Sequence, residues 1–332
     1  MDDLKSKTLD EISSIGEELG LQKFKSKEIF RFIHKKLKTD IDQITPLNQD
    51  ERNALKAGHY ISKITSKKFL SGRGSKKVAF ELPDGKVIES VLMEYEAGRK
   101  TLCISSQVGC PVACLFCATG TMGFKRNLTV GEILSQVYYF AKIDKISNVV
   151  FMGMGEPFLN YDNVMKAAKI LNSPLGQNIS ARKIVISTIG ISSGIKKLSG
   201  EKEQFRLAWS LVSPSEETRK KIVPFKALEP INRVIQAIKE YQKATKRRIT
   251  IEYVALEGRN DSIEDAKKLI KIARSLDSHI NLIPYNESPA LPFLAGNIEL
   301  LAHELNKANI NVTLRKSLGK EIRAACGQLC NA

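Results

Sequence analysis

From about residue 100 onward, short apolar runs alternate with segments whose apolar residues recur every three or four positions. The first pattern is typical of buried strands and the second of amphipathic helices. The apolar runs predict strands over Thr101–Ser105, Asn148–Met154, Lys183–Ile189, Arg206–Val212, Thr250–Leu256, Ile280–Tyr285 and Asn311–Leu314. Helices are predicted over Val130–Ala141, Tyr161–Leu171, Ile231–Ala244, Ser262–Leu276 and Asn297–Lys307. This alternation predicts an α/β fold with a parallel sheet, whose chemistry collects at the carboxyl ends of the strands.

Two other patterns precede this alternation. Apolar residues between Leu9 and Leu19 recur at helical spacing, and a second amphipathic helix is predicted from about Ser26. Residues 60–95 indicate strands, and an Asp-Gly pair at 84–85 between apolar runs predicts a β-hairpin. We therefore expect three regions: a helical unit of an RNA-binding type over 1–55, a β-hairpin or linker over 56–98, and a barrel-like domain over 99–332.

Composition narrows the function. The 332-residue chain carries a formal net charge of +16, which favours a polyanionic partner such as nucleic acid. The basic residues of the second helix either contact phosphates or form a solvated face: Lys23, Lys25, Lys27, Arg31, Lys35, Lys36 and Lys38. We expect no membrane association and a cytosolic location, because no apolar run is long enough for a span and the first residues lack a signal-peptide core. The six cysteines are then expected to be thiols, ligands or catalytic groups.

Cys110, Cys114 and Cys117 form a C-x3-C-x2-C pattern just beyond the first predicted barrel strand. A [4Fe–4S] cluster usually takes four cysteines, one per iron, so three thiolates leave one iron open. An open iron is typical of enzymes that bind S-adenosylmethionine (SAM) at the cluster and split it into a radical. The alternatives are a zinc site, for which Cys103 is a possible fourth ligand, and inert buried cysteines.

Polar residues follow several of the other predicted strands. The run 153–157 is rich in glycine and contains Glu156, which can accept a hydrogen bond from a cationic amine. Ser187, Ser210 and Asn286 follow three further strands. Each residue alone fits an ordinary turn, but together on one rim they predict a ligand pocket.

The ordered motifs resemble the RlmN/Cfr family of radical-SAM RNA methyltransferases. The resemblance rests on 101–110, the cysteine triplet, 123–129, 153–157 and 324–329, and spans roughly residues 80–330. It implies a partial (β/α) radical-SAM barrel with a small N-terminal helical domain. It also implies a [4Fe–4S] cluster and two SAM molecules per turnover. In the RlmN branch the product is adenine methylated at C2, in 23S rRNA and at the adenosine 3′ to the anticodon of tRNA; in the Cfr branch the target is C8 and the result is antibiotic resistance.

The resemblance assigns catalytic roles to three residues. Cys326 takes a methyl group from SAM and, once activated, adds to the adenine to form a protein–RNA crosslink. Cys103 removes the ring proton and resolves the adduct, which leaves a transient Cys103–Cys326 disulfide for cellular thiols to reduce. Glu89 matches the position of a proton acceptor. The alternative interpretation is that Glu89 is an exposed strand residue. An electron donor is a further implied partner.

The resemblance also assigns cofactor contacts. The residues implied are Gly155, Glu156, Ser187, Ser210, Leu211, Val212 and Asn286. The family usually has Ser-Leu-His where this chain has Ser210-Leu211-Val212, so a histidine side chain is replaced and only a backbone contact can survive at Val212. Cys330 lies beyond the matched motif and is interpreted as incidental.

Three other functions stay open. Methylation at C8 is the alternative within the family. A non-catalytic iron–sulfur or zinc RNA-binding protein is the alternative from another class, although it would have no need of two paired thiols. A radical-SAM enzyme acting on a small molecule is the third, against which the net charge of +16 argues.

Overall fold

The computed structural model describes residues 1–96, 98–288 and 291–330. The last predicted region, 99–332, therefore includes four residues outside the described ones: Pro289, Ala290, Asn331 and Ala332. The strands are β1 (Asp2–Asp3), β2 (His59–Tyr60), β3 (Thr65–Gly72), β4 (Ser75–Glu81), β5 (Val87–Glu94), β6 (Lys100–Cys103), β7 (Gln107–Val108), β8 (Arg126–Asn127), β9 (Asn148–Phe151), β10 (Ile184–Thr188), β11 (Arg206–Ser210), β12 (Ile249–Ala255), β13 (Ser278–Pro284) and β14 (Val312–Leu314). The helices are α1 (Leu9–Glu18), α2 (Lys23–His34), α3 (Gln49–Gly58), α4 (Ala118–Thr121), α5 (Val130–Ala141), α6 (Tyr161–Asn172), α7 (Ser192–Ser199), α8 (Glu216–Ile222), α9 (Ile231–Thr245), α10 (Ile263–Arg274) and α11 (Ile298–Lys307).

Seven parallel strands form the predicted barrel sheet. They follow one another in the order β6, β9, β10, β11, β12, β13, β14, and every neighbouring pair is parallel. One face of these strands is apolar and buried, as at Leu102, Ile186 and Ile251. The predicted strands are thus confirmed in number and order, and their carboxyl ends meet at one rim.

Six of the seven strands end one to three residues earlier than the sequence pattern predicts, and three of these endings affect the site. β9 ends at Phe151, β10 at Thr188 and β11 at Ser210, so the glycine-rich run 153–157 and Val212 belong to loops. Val212 has a left-handed backbone (φ +66°), which a β-strand cannot accommodate. The polar rim residues are therefore presented on loops and strand ends.

The region before the barrel extends the same sheet. β3, β4 and β5 are antiparallel, and β5 pairs antiparallel with β6. The predicted hairpin is confirmed between β4 and β5, where Gly85 adopts φ +75°. The division at residues 55 and 98 stays a prediction; the first boundary falls inside α3, since that helix continues to Gly58.

The N-terminal helices pack on one flank of the barrel. α1 begins with a capping box between Thr8 and Glu11, and Gly20 (φ +68°) follows its end. α2 begins at Lys23, three residues before the predicted Ser26. This unit is tied to α5, where the His34 ring nitrogen Nδ1 lies 2.6 Å from the Tyr138 hydroxyl. Within the described part of the chain, no helix is long and apolar enough to cross a bilayer.

Candidate active site

The three clustered cysteines lie on one tightly wound loop between β7 and α4. The loop begins at Gly109, which has φ +72° and packs so closely that a Cβ would lie 1.7 Å from the Gly123 carbonyl oxygen. The Cys117 N–H donates to the Cys114 carbonyl at 3.1 Å. Leu115 N–H donates to the Ile222 carbonyl of α8 at 3.0 Å and anchors the loop from outside. The sequence spacing is thus folded into a compact group of three thiols.

Burial and mutual charge dominate the electrostatics of these thiols. Desolvation, with smaller effects of nearby Glu156 and Cys117, raises the pKa of Cys110 to about 12. The pKa of Cys114 lies well above its usual value, first because of burial and then because of Cys117, Cys110 and Glu156. Such thiols are inert unless a cation compensates the thiolate charge. The donor set therefore fits a bound metal centre.

A zinc ion and an iron–sulfur cluster make different demands on the positions of the thiols. Ligands of one zinc ion converge within about 4 Å of each other, because each Zn–S bond is about 2.3 Å. Among the described residues, no group of three His, Cys, Asp or Glu side chains meets the geometry of a site for one ion. In an iron–sulfur cube each thiolate binds its own iron and no such convergence is needed. Cys103 does not join the triplet, since its charged neighbours are Cys326 and Arg315.

Glu156 links the loops that follow β9 and β10. Its Oε1 accepts from Phe158 N–H at 3.1 Å and its Oε2 accepts from Ile189 N–H at 2.9 Å. Burial raises the pKa of Glu156 to about 7. The neighbouring Gly155 has φ +101°, and a Cβ there would lie 2.6 Å from the Gln107 side chain. The carboxylate keeps lone pairs for a cationic amine, but its first role is to fix the rim.

The residues on and just after β10 and β11 that were predicted to contact the cofactor differ in the positions of their side chains. The hydroxyls of Ser187 and Ser210 lie 3.0 Å apart on neighbouring strands, as a polar pocket wall requires. Leu211 is fully buried, so its side chain belongs to the core. The Val212 carbonyl accepts from the Asn260 side-chain amide at 2.5 Å. That hydrogen bond holds the left-handed Val212 backbone in place without the family's histidine.

Asn286 and its neighbour Tyr285 supply buried polar atoms that lack partners. The Asn286 amide nitrogen donates to the Cys326 carbonyl at 3.2 Å. Its Oδ1 and the Tyr285 hydroxyl are buried with no hydrogen-bond partner among the described residues. Buried polar atoms without partners are rare in folded proteins and indicate a missing ligand or water. The sequence prediction included Asn286 but missed Tyr285, for which the only signal was its adjacency to Asn286.

The fold brings Cys103 and Cys326 together from distant parts of the chain. Cys103 ends β6, while Cys326 lies on the C-terminal loop, where Ala118 N–H donates to the Gly327 carbonyl at 2.8 Å. Desolvation, followed by the charge of Cys326, raises the pKa of Cys103 to about 12. The Cys326 residue is exposed to solvent. Desolvation by neighbouring atoms nevertheless raises the pKa of its thiol to about 11. All six cysteines are free thiols, so the implied Cys103–Cys326 disulfide is not formed in this structure.

Arg315 is the cation shared by these two thiols. It lowers the pKa of both Cys103 and Cys326, in opposition to burial. Its guanidinium also faces Glu252 at 3.4 Å, and Asn281 donates to the other oxygen of Glu252 at 3.0 Å. Sequence reasoning missed this group, because Arg315 follows a short edge strand and its neighbours come from other strands.

Glu89 is buried, so the alternative of an exposed strand residue is wrong, and its role as a proton acceptor stays a prediction. The register pairs Val91 with Cys103, so Glu89 lies on the same sheet face as Cys103. Its carboxylate is fully buried and its closest charged neighbour is the Lys77 ammonium at 3.0 Å. Burial raises the pKa of Glu89, and Lys77 opposes this effect. Cys330, which was interpreted as incidental, feels the charges of both Glu89 and Lys77.

The fold and the cysteine loop define a class of protein, and comparison with known families agrees. Residues 104–270 match the family model of the Radical SAM superfamily. Members of this superfamily use a [4Fe–4S] cluster and SAM, so these are the cofactors of this chain.

Similarity to individual proteins is closer and covers nearly the whole chain. A crystal structure of a radical SAM methyltransferase from Sphaerobacter thermophilus superimposes with a TM-score of 0.92, at 38% identity over 99% of both chains. A Thermotoga neapolitana protein is 42% identical over 99% of this chain and 97% of its own. A Clostridium novyi protein is 41% identical over 97% and 96%. Both are named probable dual-specificity RNA methyltransferase RlmN.

This chain belongs to the RlmN family of radical SAM methyltransferases. The family resemblance and the partial-barrel fold predicted from the sequence are thereby confirmed.

Proposed function

We propose that this protein methylates C2 of a specific adenosine in 23S rRNA and of the adenosine 3′ to the anticodon in tRNAs. The names of its relatives support RNA as the substrate class and two kinds of RNA target. The net charge of +16 supports a polyanionic substrate. The proposal includes a cytosolic location, where both RNAs and reducing thiols are present.

The observation that carries the proposal is the meeting of Cys103 and Cys326 beside Arg315. Electrostatic coupling joins the two thiols, and the guanidinium favours the thiolate form of each. A binding module needs no such pair, whereas a covalent mechanism needs one thiol to carry a group and a second to release it. The pair also lies beside the cysteine loop, since the charge of Cys117 raises the pKa of Cys326.

The three loop cysteines would hold the cluster, with Glu156, Ser187, Ser210 and Asn286 as the rim for SAM. When bound, the cluster and SAM supply a radical that activates a carbon attached to sulfur. Tyr285 and Asn286 carry the buried atoms that lack partners and would orient the ligand. Two SAM molecules per turnover follow from this proposal, because Cys326 must be methylated before its methyl group can be activated.

The two thiols perform the remaining steps. The Cys326 sulfur carries the methyl carbon and holds the covalent adduct with adenine. The thiolate of Cys103 then attacks the Cys326 sulfur, and the bond from that sulfur to the new methyl carbon breaks. The electron pair of that bond stays with the carbon, which takes up the proton released by Cys103 and becomes the methyl group, and a Cys103–Cys326 disulfide forms. A cellular thiol returns two electrons to the pair before the next turnover.

The proton removed from the adenine ring has two candidate acceptors. Cys103 is placed beside the adduct sulfur, and Glu89 lies on the same sheet face. Glu89 faces Lys77 at 3.0 Å, so as a base it would act from within an ion pair. We therefore assign the proton to Cys103 and give Glu89 a supporting electrostatic role.

Nucleoside mass spectrometry tests the proposed function. Unmodified tRNA and 23S rRNA are incubated under anaerobic conditions with the reconstituted enzyme, SAM and a reductant, and then digested to nucleosides. 2-Methyladenosine in both RNAs is the expected result. 8-Methyladenosine would assign the chain to C8 chemistry, and RNA without methylated adenosine would contradict the proposal. Cys326→Ala, which keeps all three cluster cysteines, is the matched control and gives no product.

A further inference from the structure

A cavity of about 890 Å³ occupies the interior of the barrel. Its lining includes Thr101, Asn148, Arg206, Thr250 and His279, which lie at or near the first residues of their strands. The cavity therefore opens at the amino ends of the strands, opposite the rim that carries the cysteine loop. Closed barrels of this type usually fill their interior with Val, Ile and Leu. This interior is polar, open and large enough for a ligand.

Six basic side chains surround the opening. We name them the basic mouth: Arg99, Arg182, Arg206, Lys246, Arg247 and Arg248. Each lies at the first residue of a strand or in a segment that precedes one, so four separate chain segments bring positive charge to one place. Such convergence differs from a basic run along one helix, which usually forms a solvated face.

The charge of the basic mouth is largely uncompensated. Among the described residues that line the cavity, the ion pairs are Arg315 with Glu252 and Lys316 with Glu96, and neither includes the mouth. Arg206, Lys246 and Arg248 are exposed. Lys246 follows the end of α9 in a left-handed conformation (φ +55°) and begins the short loop that carries Arg247 and Arg248. Exposed, uncompensated cations around a cavity attract a polyanion.

The inner part of the cavity is lined by Arg315, the cation that acts on both thiols. Glu252, Asn281 and Arg315 form a hydrogen-bonded layer that lines it. Arg315 acts electrostatically on both Cys103 and Cys326. Arg248 and Glu252 are four residues apart, or roughly 13 Å of extended strand. A nucleotide splayed out of its stack can place its phosphate at the mouth and its base near this layer.

We propose that the RNA substrate approaches through the amino-terminal opening of the barrel, where the basic mouth binds its phosphates and the polar layer of Glu252, Asn281 and Arg315 receives the target nucleotide. This inference rests on the proposed function and adds the surface that binds the substrate. It assigns the basic residues of α2 no part in holding the target nucleotide. It also explains why the barrel interior is polar at the end remote from the cysteine loop.

A charge-reversal variant tests the inference. Arg206→Glu/Lys246→Glu/Arg248→Glu changes three exposed side chains of the mouth. The matched control, Lys239→Glu/Lys268→Glu/Lys271→Glu, changes net charge equally on exposed positions of α9 and α10. Binding of an unmodified tRNA transcript to each reconstituted holoenzyme is measured from about 50 to about 200 mM salt. Cluster absorbance and thermal midpoint report whether each variant is folded.

The mouth variant is expected to bind tRNA at least about tenfold more weakly than the control. Its slope of log affinity against log salt should also be smaller by about 2, since each single-strand phosphate contact contributes about 0.7. If charge reversal prevents folding, Arg206→Gln/Lys246→Gln/Arg248→Gln should show the same change in slope. Mouth and control variants with equal affinity and equal slope would overturn the inference.

A measurement of product formation distinguishes failure of the proposed methylation from failure of the proposed route for RNA. If the wild-type enzyme makes no methyladenosine, the proposed function fails whatever the variants bind. If the wild type methylates RNA and the mouth variant does so with an unchanged KM, only the route through the barrel opening fails. A mouth variant with a raised KM for tRNA and unchanged cluster content supports the route.

Discussion

At the scale of single residues, Arg315 is the cation that opposes the raised pKa values of the Cys103 and Cys326 thiols. Burial alone would keep Cys103 and Cys326 protonated, since desolvation raises the pKa of both. A guanidinium stays charged at any working pH, so Arg315 lowers the pKa of both thiols throughout that range. Glu252 holds the guanidinium at 3.4 Å, so its position does not depend on substrate.

Replacement of this cation should slow the reaction of Cys326 with an alkylating reagent. In Arg315→Gln the pKa of the Cys326 thiol rises, and the pH midpoint of alkylation moves upward. A shift of half to one unit would lower the rate at a fixed pH by about three- to tenfold. Site-resolved mass spectrometry after iodoacetamide pulses measures this rate. Lys316→Gln, on the exposed neighbouring residue, is the control; equal midpoints in both variants would contradict the role of Arg315.

At the scale of secondary-structure elements, a buried histidine connects the N-terminal helices to the barrel. His34 of α2 is fully buried against Tyr138 of α5, and its carbonyl accepts from the Gln177 side chain at 2.7 Å. Burial, followed by the charge of Lys5, lowers the pKa of His34 to about 3. The imidazole is therefore neutral in the folded protein, because burial disfavours its protonated form.

This interface should weaken in acid. Between about pH 6.5 and about pH 3 the unfolded chain binds a proton at His34 that the folded chain excludes, so stability falls as pH falls through that window. From about pH 7.5 to about pH 5 the loss is about 2 kcal/mol at the usual 1.36 kcal/mol per unit. Urea unfolding of His34→Gln should lack this loss, whereas His303→Gln, at an exposed position of α11, should retain it. Parallel pH dependences in the two variants would contradict this explanation.

The elements that periodicity predicted were those with a strong apolar pattern. α5 begins and ends at the predicted residues, and all seven parallel strands lie where the apolar runs placed them. α7 and α8 were missed because they are short and their apolar residues are too few to show a period. β3 was not resolved as a separate strand, since most of its side chains are exposed at the sheet edge. Local sequence cannot show which short polar segments become ordered by neighbours.

At the scale of the whole molecule, the active site depends on contacts between distant segments. The cysteine triplet is readable from spacing alone, and the partners Cys103 and Cys326 were predicted by family resemblance. Arg315 and Glu252 were not predictable, because each acquires its role from a strand that is remote in the sequence. The polar cavity in the barrel could not be predicted from the sequence either. It is formed jointly by the inward-facing residues of seven strands, and no single strand shows it.

The most direct test of this account is a search for a protein–RNA adduct in Cys103→Ala. Without the resolving thiol, the bond between Cys326 and adenine cannot be broken, so denaturing gels and mass spectrometry should show tRNA bound covalently to the protein under turnover conditions. Cys103→Ala/Cys326→Ala should lose the adduct, and Cys330→Ala should turn over without accumulating it. A Cys103→Ala enzyme that turns over normally, with no adduct, would contradict the two-thiol mechanism.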